Sequence, residues 1–513
     1  MSTPGRPKGE YRSAQHEGTP VSAPGRPKSE FRSAEREGTP VSREQALAAA
    51  RAHLDEGAFV RDLARRVALR TESQDAASGP ALQAYLADEI GPSLAALGFT
   101  FSVQANPDTA YGPLLMATRH EADHLPTVLM YGHGDVIRGQ DKSWTRGQGP
   151  WTVVQDGDRL YGRGTADNKG QHSINIAALA QVLTVRGGAL GFNVKWLIET
   201  GEETGSPGLA AFCAAHRDEL AADVLIASDG PRLSRERATV FLGSRGVANF
   251  DLSLHLRAGA HHSGNWGGLL RNPGTVLANA IACLVDGRGR IRVPALLPPP
   301  IPASVRAALQ GLQFGGDEGD PAVDLDWGEP GLTPAERVIA WNTLEVLAYC
   351  TGNPDQPINA IPPAARAAMH MRFVVGTDVA RLREHVLAHL AAHGFADVQV
   401  SEPVVMAATR LDPDNPWVRF ALESIQCSTG QAPVLLPNLG GSLPNDVFAD
   451  ILGLPTVWVP HSYAACCQHA PDEHLLLSVV REALPLMAGL FWDLGEQAAT
   501  LPRRGTFRPA VSG

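Results

Sequence analysis

The amino-acid sequence predicts an α/β fold in which a mixed, mainly parallel sheet is flanked by helices and a smaller α+β domain is inserted. Short apolar runs, typical of strands buried on both faces, alternate with helix-like segments, as in an α/β sheet. The runs are PTVLMYG (126–132), FNVKWLI (192–198), ADVLIAS (222–228) and LPTVWVP (454–460). The inserted domain is indicated by ANFDLSLHL (248–256) and AAMHMRFVV (367–375), which alternate apolar and polar residues as half-exposed antiparallel strands do.

The start of the chain contains a direct repeat. TPGRPKGEYRSAQHEGTPVS (3–22) returns as APGRPKSEFRSAEREGTPVS (23–42), and both copies are rich in proline, glycine and charge. Such segments bury too little apolar surface to offset the entropy of ordering, so we expect a disordered tail. A helix-like pattern capped by Ser42 follows. The expected organisation is a tail (1–42), a main domain in two parts (43–245 and 408–500), an inserted domain (246–407) and a flexible C-terminus (501–513).

Composition limits the classes of partner. The chain has 54 acidic and 44 basic residues with both signs interspersed, giving a net charge of −10, so we expect no nucleic-acid binding. It has no apolar run of the ~20 residues that span a bilayer, and its start lacks the apolar stretch of a secretory signal. Six scattered cysteines show neither metal-binding spacing nor a disulfide framework. These features favour a cytoplasmic protein without membrane attachment.

Metal-capable side chains follow all four apolar runs. In chain order they are His133 and Asp135, then Glu199, Glu202 and Glu203, then Asp229, and, after a longer loop, His469. Because ligands of open α/β sheets bind beyond the carboxyl ends of the strands, we expect these groups to converge on one rim. Asp167 lies in a Gly-rich turn, YGRGTADNKGQ, where glycines permit a tight turn that presents the carboxylate at a helix start.

Five of these groups form a mixed nitrogen and oxygen ligand set suited to zinc, manganese or cobalt. They are His133, Asp167, Glu203, Asp229 and His469. Five ligands exceed the need of one tetrahedral site, whereas two metals that share a carboxylate would use all five. Metals paired ~3.5–4 Å apart hold a bridging hydroxide and polarise a carbonyl, as in aminopeptidases. Asp135 can orient His133 through its other ring nitrogen, and Glu202 is left as a free carboxylate placed to act as general base.

Five segments resemble, in family order, the motifs of the co-catalytic metallopeptidase family of aminoacylase, glutamate carboxypeptidase, succinyl-diaminopimelate desuccinylase and cytosolic carnosinase-type dipeptidases. They are YGHGDV (131–136), GRGTADNKG (162–170), ETGEETGSPGL (199–209), ASDG (227–230) and QHAPDEH (468–474). The resemblance implies a zinc-peptidase-like catalytic domain with an inserted lid domain that forms a homodimer. It also implies two divalent metal ions per subunit, with zinc expected and manganese or cobalt as alternatives.

The resemblance also implies individual roles for the metal ligands. It assigns His133 and Asp229 to one metal, Glu203 and His469 to the other, and Asp167 to the bridge between them. The peptide bond from Asp167 to Asn168 is implied to be cis, and Glu202 is implied to take the proton of the bridging water.

The inserted domain matches the dipeptidase branch best. GAHHSGNWGG (259–268) is similar to a His-Ser-Gly-x-x-Gly-Gly loop and assigns His262, rather than its neighbour His261, to stabilise the oxyanion in the partner's active site. NAIPPAARAAMHMRF (359–373) assigns Arg372 to the substrate carboxylate and Asn359 to a substrate contact. GGSLP (440–444) adds Gly441 and Ser442 as carboxylate contacts. The segment that follows, NDVFADILG, departs from the carnosinase-type pattern, so the leaving group of the substrate is not assigned.

The expected function is metal-dependent hydrolysis of the amide bond of dipeptides or short peptides with a free carboxylate. The same centre would serve a deacylase of N-acetyl or N-succinyl amino acids, which remains an alternative. An inactive scaffold is the remote alternative, since all five ligands and Glu202 are present.

Overall fold

The computed structural model describes residues 41–316 and 321–504. All but the last two residues of the predicted tail and its repeat, and most of the predicted C-terminal segment, lie outside the described residues. The helices in the described part are α1 (Arg43–Asp55), α2 (Ala58–Ala68), α3 (Gly79–Ala84), α4 (Gly91–Ala95), α5 (Lys169–Val185), α6 (Leu209–Ala215), α7 (Ser263–Trp266), α8 (Pro273–Leu284), α9 (Ala303–Leu309), α10 (Pro334–Ile339), α11 (Leu382–Ala392), α12 (Pro416–Thr429) and α13 (Leu477–Glu496).

The strands of the first half of the chain are β1 (Thr100–Gln104), β2 (Leu114–Arg119), β3 (Thr127–His133), β4 (Val154–Asp156), β5 (Arg159–Tyr161), β6 (Asn193–Glu199), β7 (Val224–Ala227), β8 (Pro231–Arg232), β9 (Thr239–Phe241) and β10 (Gly246–His255). Those of the second half are β11 (His261–His262), β12 (Thr343–Cys350), β13 (Ala360–Ile361), β14 (Ala364–Phe373), β15 (Gln399–Val400), β16 (Val404–Met406), β17 (Val434–Leu436), β18 (Thr456–Trp458), β19 (Ser462–Tyr463) and β20 (His474–Leu476).

An eight-stranded sheet carries the four predicted buried strands. Its order is β1-β2-β6-β3-β7-β18-β9-β17. The four central strands, β6, β3, β7 and β18, contain the four apolar runs and are mutually parallel. At one edge of the sheet, β1 pairs antiparallel with β2, and β2 pairs antiparallel with β6. Strands β18 and β9 are joined by a single residue pair, which is also antiparallel. The mixed, mainly parallel sheet with flanking helices confirms the predicted fold class.

At the four central strands both faces of the sheet are buried, which explains why these strands are mostly apolar along their whole length. In β3, Val128 and Met130 belong to one core cluster, together with residues of α1, α5 and α13. The alternate residues Leu129 and Tyr131 belong to a second cluster on the other face, which includes Phe448. Because successive side chains of a strand point to opposite faces, one short run supplies both cores.

A second, antiparallel sheet is built from strands that lie between Gly246 and Met406. Its order is β12-β14-β10-β15, and β16 also pairs with β10. The long strands β10 and β14 pair from Gly246 with Phe373 to His255 with Ala364. Burial alternates along both strands, as the sequence predicted, and α8 packs on their buried face.

Two local predictions at helices also agree with the structure. Ser42 caps α1, and its side chain and that of Gln45 form a reciprocal capping box. Helix α5 begins directly after Asn168, at the end of the Gly-rich turn. Among the helices of the described stretches, none is long and apolar enough to cross a membrane.

Candidate metal centre

The Gly-rich turn before α5 presents Asp167 at the rim of the parallel sheet. Gly164 adopts a φ of +84°, a left-handed conformation that favours glycine. A Cβ atom on Gly170 would lie 1.9 Å from the Thr165 carbonyl oxygen, so only glycine fits there. The peptide bond between Asp167 and Asn168 is cis, in agreement with the resemblance. The local sequence thus determines the path of the turn that carries the carboxylate.

A buried carboxylate from a distant segment fixes this turn. Glu473 accepts hydrogen bonds from the backbone N–H groups of Gly164, Ala166 and Asp167 at 3.0–3.1 Å. It also accepts a 2.7 Å hydrogen bond from Arg163, which is itself buried. Because charge-assisted hydrogen bonds to backbone N–H groups are strong, Glu473 holds Asp167 in position.

His133 ends β3 and is fully buried together with Asp135. Its Nδ1 lies 3.1 Å from the Asp135 carbonyl oxygen and 3.4 Å from an Asp135 carboxylate oxygen. The Asp135 carboxylate accepts hydrogen bonds from the backbone N–H groups of Glu202 and Glu203 at 3.2 and 3.1 Å. Asp135 is therefore beside the ring, as predicted, and it also holds the loop that carries both glutamates.

Asp167 lies between the two histidines with one carboxylate oxygen facing each. His133 Nε2 is 3.0 Å from Asp167 Oδ1, and His469 Nε2 is 3.2 Å from Asp167 Oδ2. His469 Nε2 is also 2.9 Å from Glu203 Oε2. The five predicted ligands therefore form two groups that share Asp167, one with His133 and Asp229, and one with Glu203 and His469.

Asp229 provides a test of whether a cation fits. Its Oδ1 accepts a 2.6 Å hydrogen bond from the backbone N–H of Gly230. Its Oδ2 is buried, has no hydrogen-bond partner, and lies 3.6 Å from His133 Nε2. An unpaired buried carboxylate oxygen is energetically costly. A divalent cation between these groups would satisfy it, so the donor set fits the predicted metal.

The carboxylates of this cluster repel one another. Burial, together with the neighbouring negative charges, raises the pKa of Glu203 to about 7 and that of Asp229 to about 6. Hydrogen bonds to Asp167 and Glu203 raise the pKa of His469 to about 10. Burial alone would raise the pKa of Asp167, but hydrogen bonds from His133 and His469 outweigh it and hold that pKa below its usual range. Without cations, protons must therefore neutralise part of the cluster.

Glu202 is close to the cluster without being part of either three-residue group. Its Oε2 lies 4.0 Å from His133 Nε2, and its side chain is largely buried. Burial and the charges of Asp229 and Glu203 raise its pKa well above the usual value. A carboxylate with a raised pKa beside a metal centre is suited to accept and return a proton.

Predicted substrate-binding residues also lie close together, around the GGSLP loop. Arg372 on β14 donates a 2.6 Å hydrogen bond to Ser442 Oγ, and Gly441 is the preceding residue of the same loop. Ser442 Oγ donates in turn to the Arg245 carbonyl oxygen. The Arg245 side chain, nearly buried, donates to the Gly440 carbonyl oxygen at 2.7 Å. Burial and the charge of Arg372 lower the pKa of Arg245 to about 10.

His262 lies on β11, which forms a separate small sheet with β13, and Asn359 directly precedes β13. The Asn359 carbonyl oxygen accepts a 2.9 Å hydrogen bond from the backbone N–H of Ser263. His262 is exposed, and its Nδ1 accepts a hydrogen bond from the Gly264 N–H. Among the described residues, the side-chain hydrogen bond of His262 stays within its own loop and does not connect it to the metal-ligand cluster.

Three residues of the site carry no assignment from the sequence. Glu473 and Gln468 lie within the QHAPDEH segment, where only His469 was assigned, and the Gln468 side chain donates a short hydrogen bond to Asp167. Glu473 was detectable as an acidic residue inside a recognised motif. Arg245 has no local signal, since it is a single arginine at a strand start.

The fold and the five-residue cluster define a metal-dependent hydrolase. The sequence model of Peptidase family M20/M25/M40 matches residues 129–493, which is more than half of the chain. The chain belongs to this family. Its predicted identity as an enzyme of the metallopeptidase class is thereby confirmed.

Individual relatives support the same assignment. A Beta-Ala-His dipeptidase of Rattus norvegicus is 32% identical over 410 residues, covering 75% of this chain and 80% of that protein. A Cysteinylglycine-S-conjugate dipeptidase of Corynebacterium striatum is 26% identical over 356 residues, covering 67% and 75%. The crystal structure of human carnosine dipeptidase 1 has a TM-score of 0.73 at 22% identity, covering 89% of this chain and 99% of that one. The structural likeness supports the fold alone.

Metal affinity is predicted to rise with pH between pH 5 and pH 8. Glu203 and Asp229, with pKa values of about 7 and about 6, take up protons as the pH falls, and those protons compete with the metal. Each competing proton weakens the apparent affinity by about tenfold per pH unit below the pKa. Titration of the metal-free protein against a chelator, corrected for protonation of the chelator, measures this slope. A pH-independent affinity would contradict the prediction.

Proposed function

We propose that this protein hydrolyses the amide bond of dipeptides and similarly short peptides that carry a free carboxylate. The observation that carries the proposal is the position of Asp167, with one oxygen towards His133 and the other towards His469. A carboxylate in this position can be shared by two cations, which is the arrangement of two-metal hydrolases.

The metal ligands in this proposal form two sets. His133 and Asp229 would hold one divalent ion, Glu203 and His469 the other, and Asp167 would bridge them. When bound, the ions supply Lewis-acid polarisation of the scissile carbonyl and lower the pKa of the attacking water. Imidazole and carboxylate ligands suit zinc, with manganese and cobalt as alternatives.

Glu202 is proposed as the general base and acid. Its carboxylate accepts the proton of the attacking water and then donates it to the leaving nitrogen. Burial and the neighbouring carboxylates raise the pKa of Glu202, and the raised pKa enables this side chain to hold the proton between the two steps. Asp135 acts indirectly, because it positions both His133 and the backbone of the Glu202 loop.

Arg372 and Ser442 are proposed to bind the free carboxylate of the substrate. Their 2.6 Å hydrogen bond joins the second sheet to the GGSLP loop. Arg245 adds a second cationic group beside them. A guanidinium and a hydroxyl at fixed positions provide charge-assisted hydrogen bonds that set the register of cleavage. Asn359 and Gly441 are proposed as further substrate contacts.

Dipeptidase activity is favoured over the deacylase alternative because two of the most similar relatives are dipeptidases. A panel of dipeptides, N-acetyl amino acids and N-succinyl amino acids, run with zinc, manganese and cobalt, separates the two. Hydrolysis of only the acyl compounds would overturn the proposed substrate class.

A homodimer is proposed, with His262 of one subunit stabilising the oxyanion in the other. The exposed position of His262 is consistent with such a role. The edge strand β12 supports an interface, because its apolar residues Val346, Leu347 and Tyr349 are exposed. An exposed apolar edge strand is a ready surface for pairing with another chain.

A cytoplasmic location is proposed as well. Six free thiols favour a reducing compartment.

The variant Glu202→Gln is predicted to keep its metals and to lose about 10²- to 10⁴-fold in kcat, because the amide cannot accept the proton. Turnover and metal content are measured on the same sample. Glu236→Gln, which changes an exposed glutamate, is the matched control and should behave as the parent. Parent-like kcat in Glu202→Gln would remove Glu202 from the mechanism.

The variant Arg372→Ala is predicted to lower kcat/KM for dipeptides by about 10- to 100-fold, the value of a lost charge-assisted hydrogen bond. Dipeptides amidated at the C-terminus lack the carboxylate, so parent and variant should hydrolyse them at the same low rate. Arg366→Ala, on the same strand but exposed, is the matched control. An equal loss on both substrates would assign Arg372 a structural role instead.

Mixing two inactive homodimers tests whether His262 acts across the interface. His262→Ala and Glu202→Gln are each expected to be nearly inactive. In a mixed dimer, one site combines the intact Glu202 of one subunit with the intact His262 of the other. Free subunit exchange at equal concentrations should therefore restore about a quarter of the parent activity. If His262 acts within its own subunit, mixing restores nothing.

A further inference from the structure

A second group of metal-binding side chains lies outside the candidate metal centre. Cys283 is near the C-terminal end of α8, His389 is in the last turn of α11, and His393 directly follows α11. One ligand atom from each of the three residues lies within 4.8 Å of the others. Helices α8 and α11 cover the second sheet and contribute none of the residues of the candidate metal centre.

Each of the two imidazole rings has one nitrogen hydrogen-bonded to a backbone carbonyl oxygen. His389 Nε2 lies 2.9 Å from the Cys283 carbonyl oxygen, and His393 Nδ1 lies 2.8 Å from the His389 carbonyl oxygen. Because a carbonyl only accepts, each of these nitrogens carries a proton. In the neutral rings, the lone pairs are therefore on Nδ1 of His389 and Nε2 of His393. A ring nitrogen that donates to a backbone carbonyl while the other is free is the usual arrangement of metal-binding histidines.

The two imidazole rings are neighbours at the C-terminal end of α11, four residues apart in the sequence. They stack with centroids 4.1 Å apart and an interplanar angle of 28°. The Cys283 thiol is half-buried and donates to the Ala280 carbonyl oxygen at 3.0 Å. His389 and the thiol are thus held at the end of α8. His393 is exposed, so its ring has room to turn out of the stack and direct a nitrogen at the same ion.

We propose that Cys283, His389 and His393 bind one divalent transition-metal ion of the zinc class, with water as the fourth ligand. On binding, the Cys283 thiol releases its proton to solvent, and the thiolate and the two imidazole nitrogens displace all but one of the water ligands of the ion. Two imidazoles and one thiolate form a tetrahedral set with an open position that suits zinc and excludes magnesium and calcium. The ion would link α11 to α8 at the end of the second sheet.

Cobalt provides a probe that distinguishes this site from the candidate metal centre. The candidate centre has nitrogen and oxygen ligands only, so a thiolate-to-cobalt charge-transfer band in the near ultraviolet reports a cysteine ligand. Titration of the reduced, full-length protein with cobalt is expected to produce this band, and its amplitude at saturation should correspond to about one thiolate-bound cobalt ion per chain. Cys283→Ser should lose the band and bind one metal ion fewer per chain, while its hydrolytic rate stays that of the parent.

Three other cysteines provide matched controls. Cys350→Ser and Cys427→Ser remove exposed thiols, and Cys467→Ser removes the exposed thiol two residues before His469. All three should keep the band. His393→Gln, at an exposed position, should weaken cobalt binding at this site by about tenfold or more while the protein remains folded. Absence of the band in the parent, its persistence in Cys283→Ser, or equal metal content in the two would overturn the proposal.

Discussion

The central constraint in this structure is the burial of several carboxylates in one cleft at the carboxyl ends of parallel strands. Asp167, Asp229 and Glu203 lie against only two histidines, and Asp229 keeps one oxygen without a hydrogen-bond partner. Such a group of acids is costly to bury unless cations or protons neutralise it. The pKa values of Glu203 and Asp229 are raised chiefly by this burial, and the negative charge of Asp167 adds to the effect.

Two further carboxylates hold the cluster together without belonging to either ligand group. Glu473 binds the backbone of the Asp167 turn, and Asp135 binds the backbone of the loop with Glu202 and Glu203. Each satisfies backbone N–H groups that would otherwise be unpaired, and each thereby fixes the direction of a metal-binding side chain. The position of the ligands therefore depends on hydrogen bonds to backbone as much as on the ligands' own packing.

The sequence predicted the parallel strands and the convergence of the acidic and histidine side chains, because both depend on local patterns. An apolar run between turn residues marks a strand wherever it lies, and parallel strands side by side bring their ends to one rim. The order β6-β3-β7-β18 and the antiparallel edge strands were not predictable in this way, since pairing depends on contacts between distant segments. Arg245 was missed for the same reason, because its role depends on its position beside Arg372 and the GGSLP loop, which are distant in the sequence.

The two proposed metal sites differ in ligand chemistry, and this difference has a consequence for metal selection. Carboxylates dominate the candidate metal centre, and oxygen ligands accept manganese and cobalt as well as zinc. Cys283 introduces a thiolate beside His389 and His393, which is a softer set that disfavours manganese. Replacing zinc by manganese would therefore fill the candidate centre and leave the site between α8 and α11 empty. The hydrolytic activity, which depends on the candidate metal centre alone, would then be kept, while the total metal content per chain would fall.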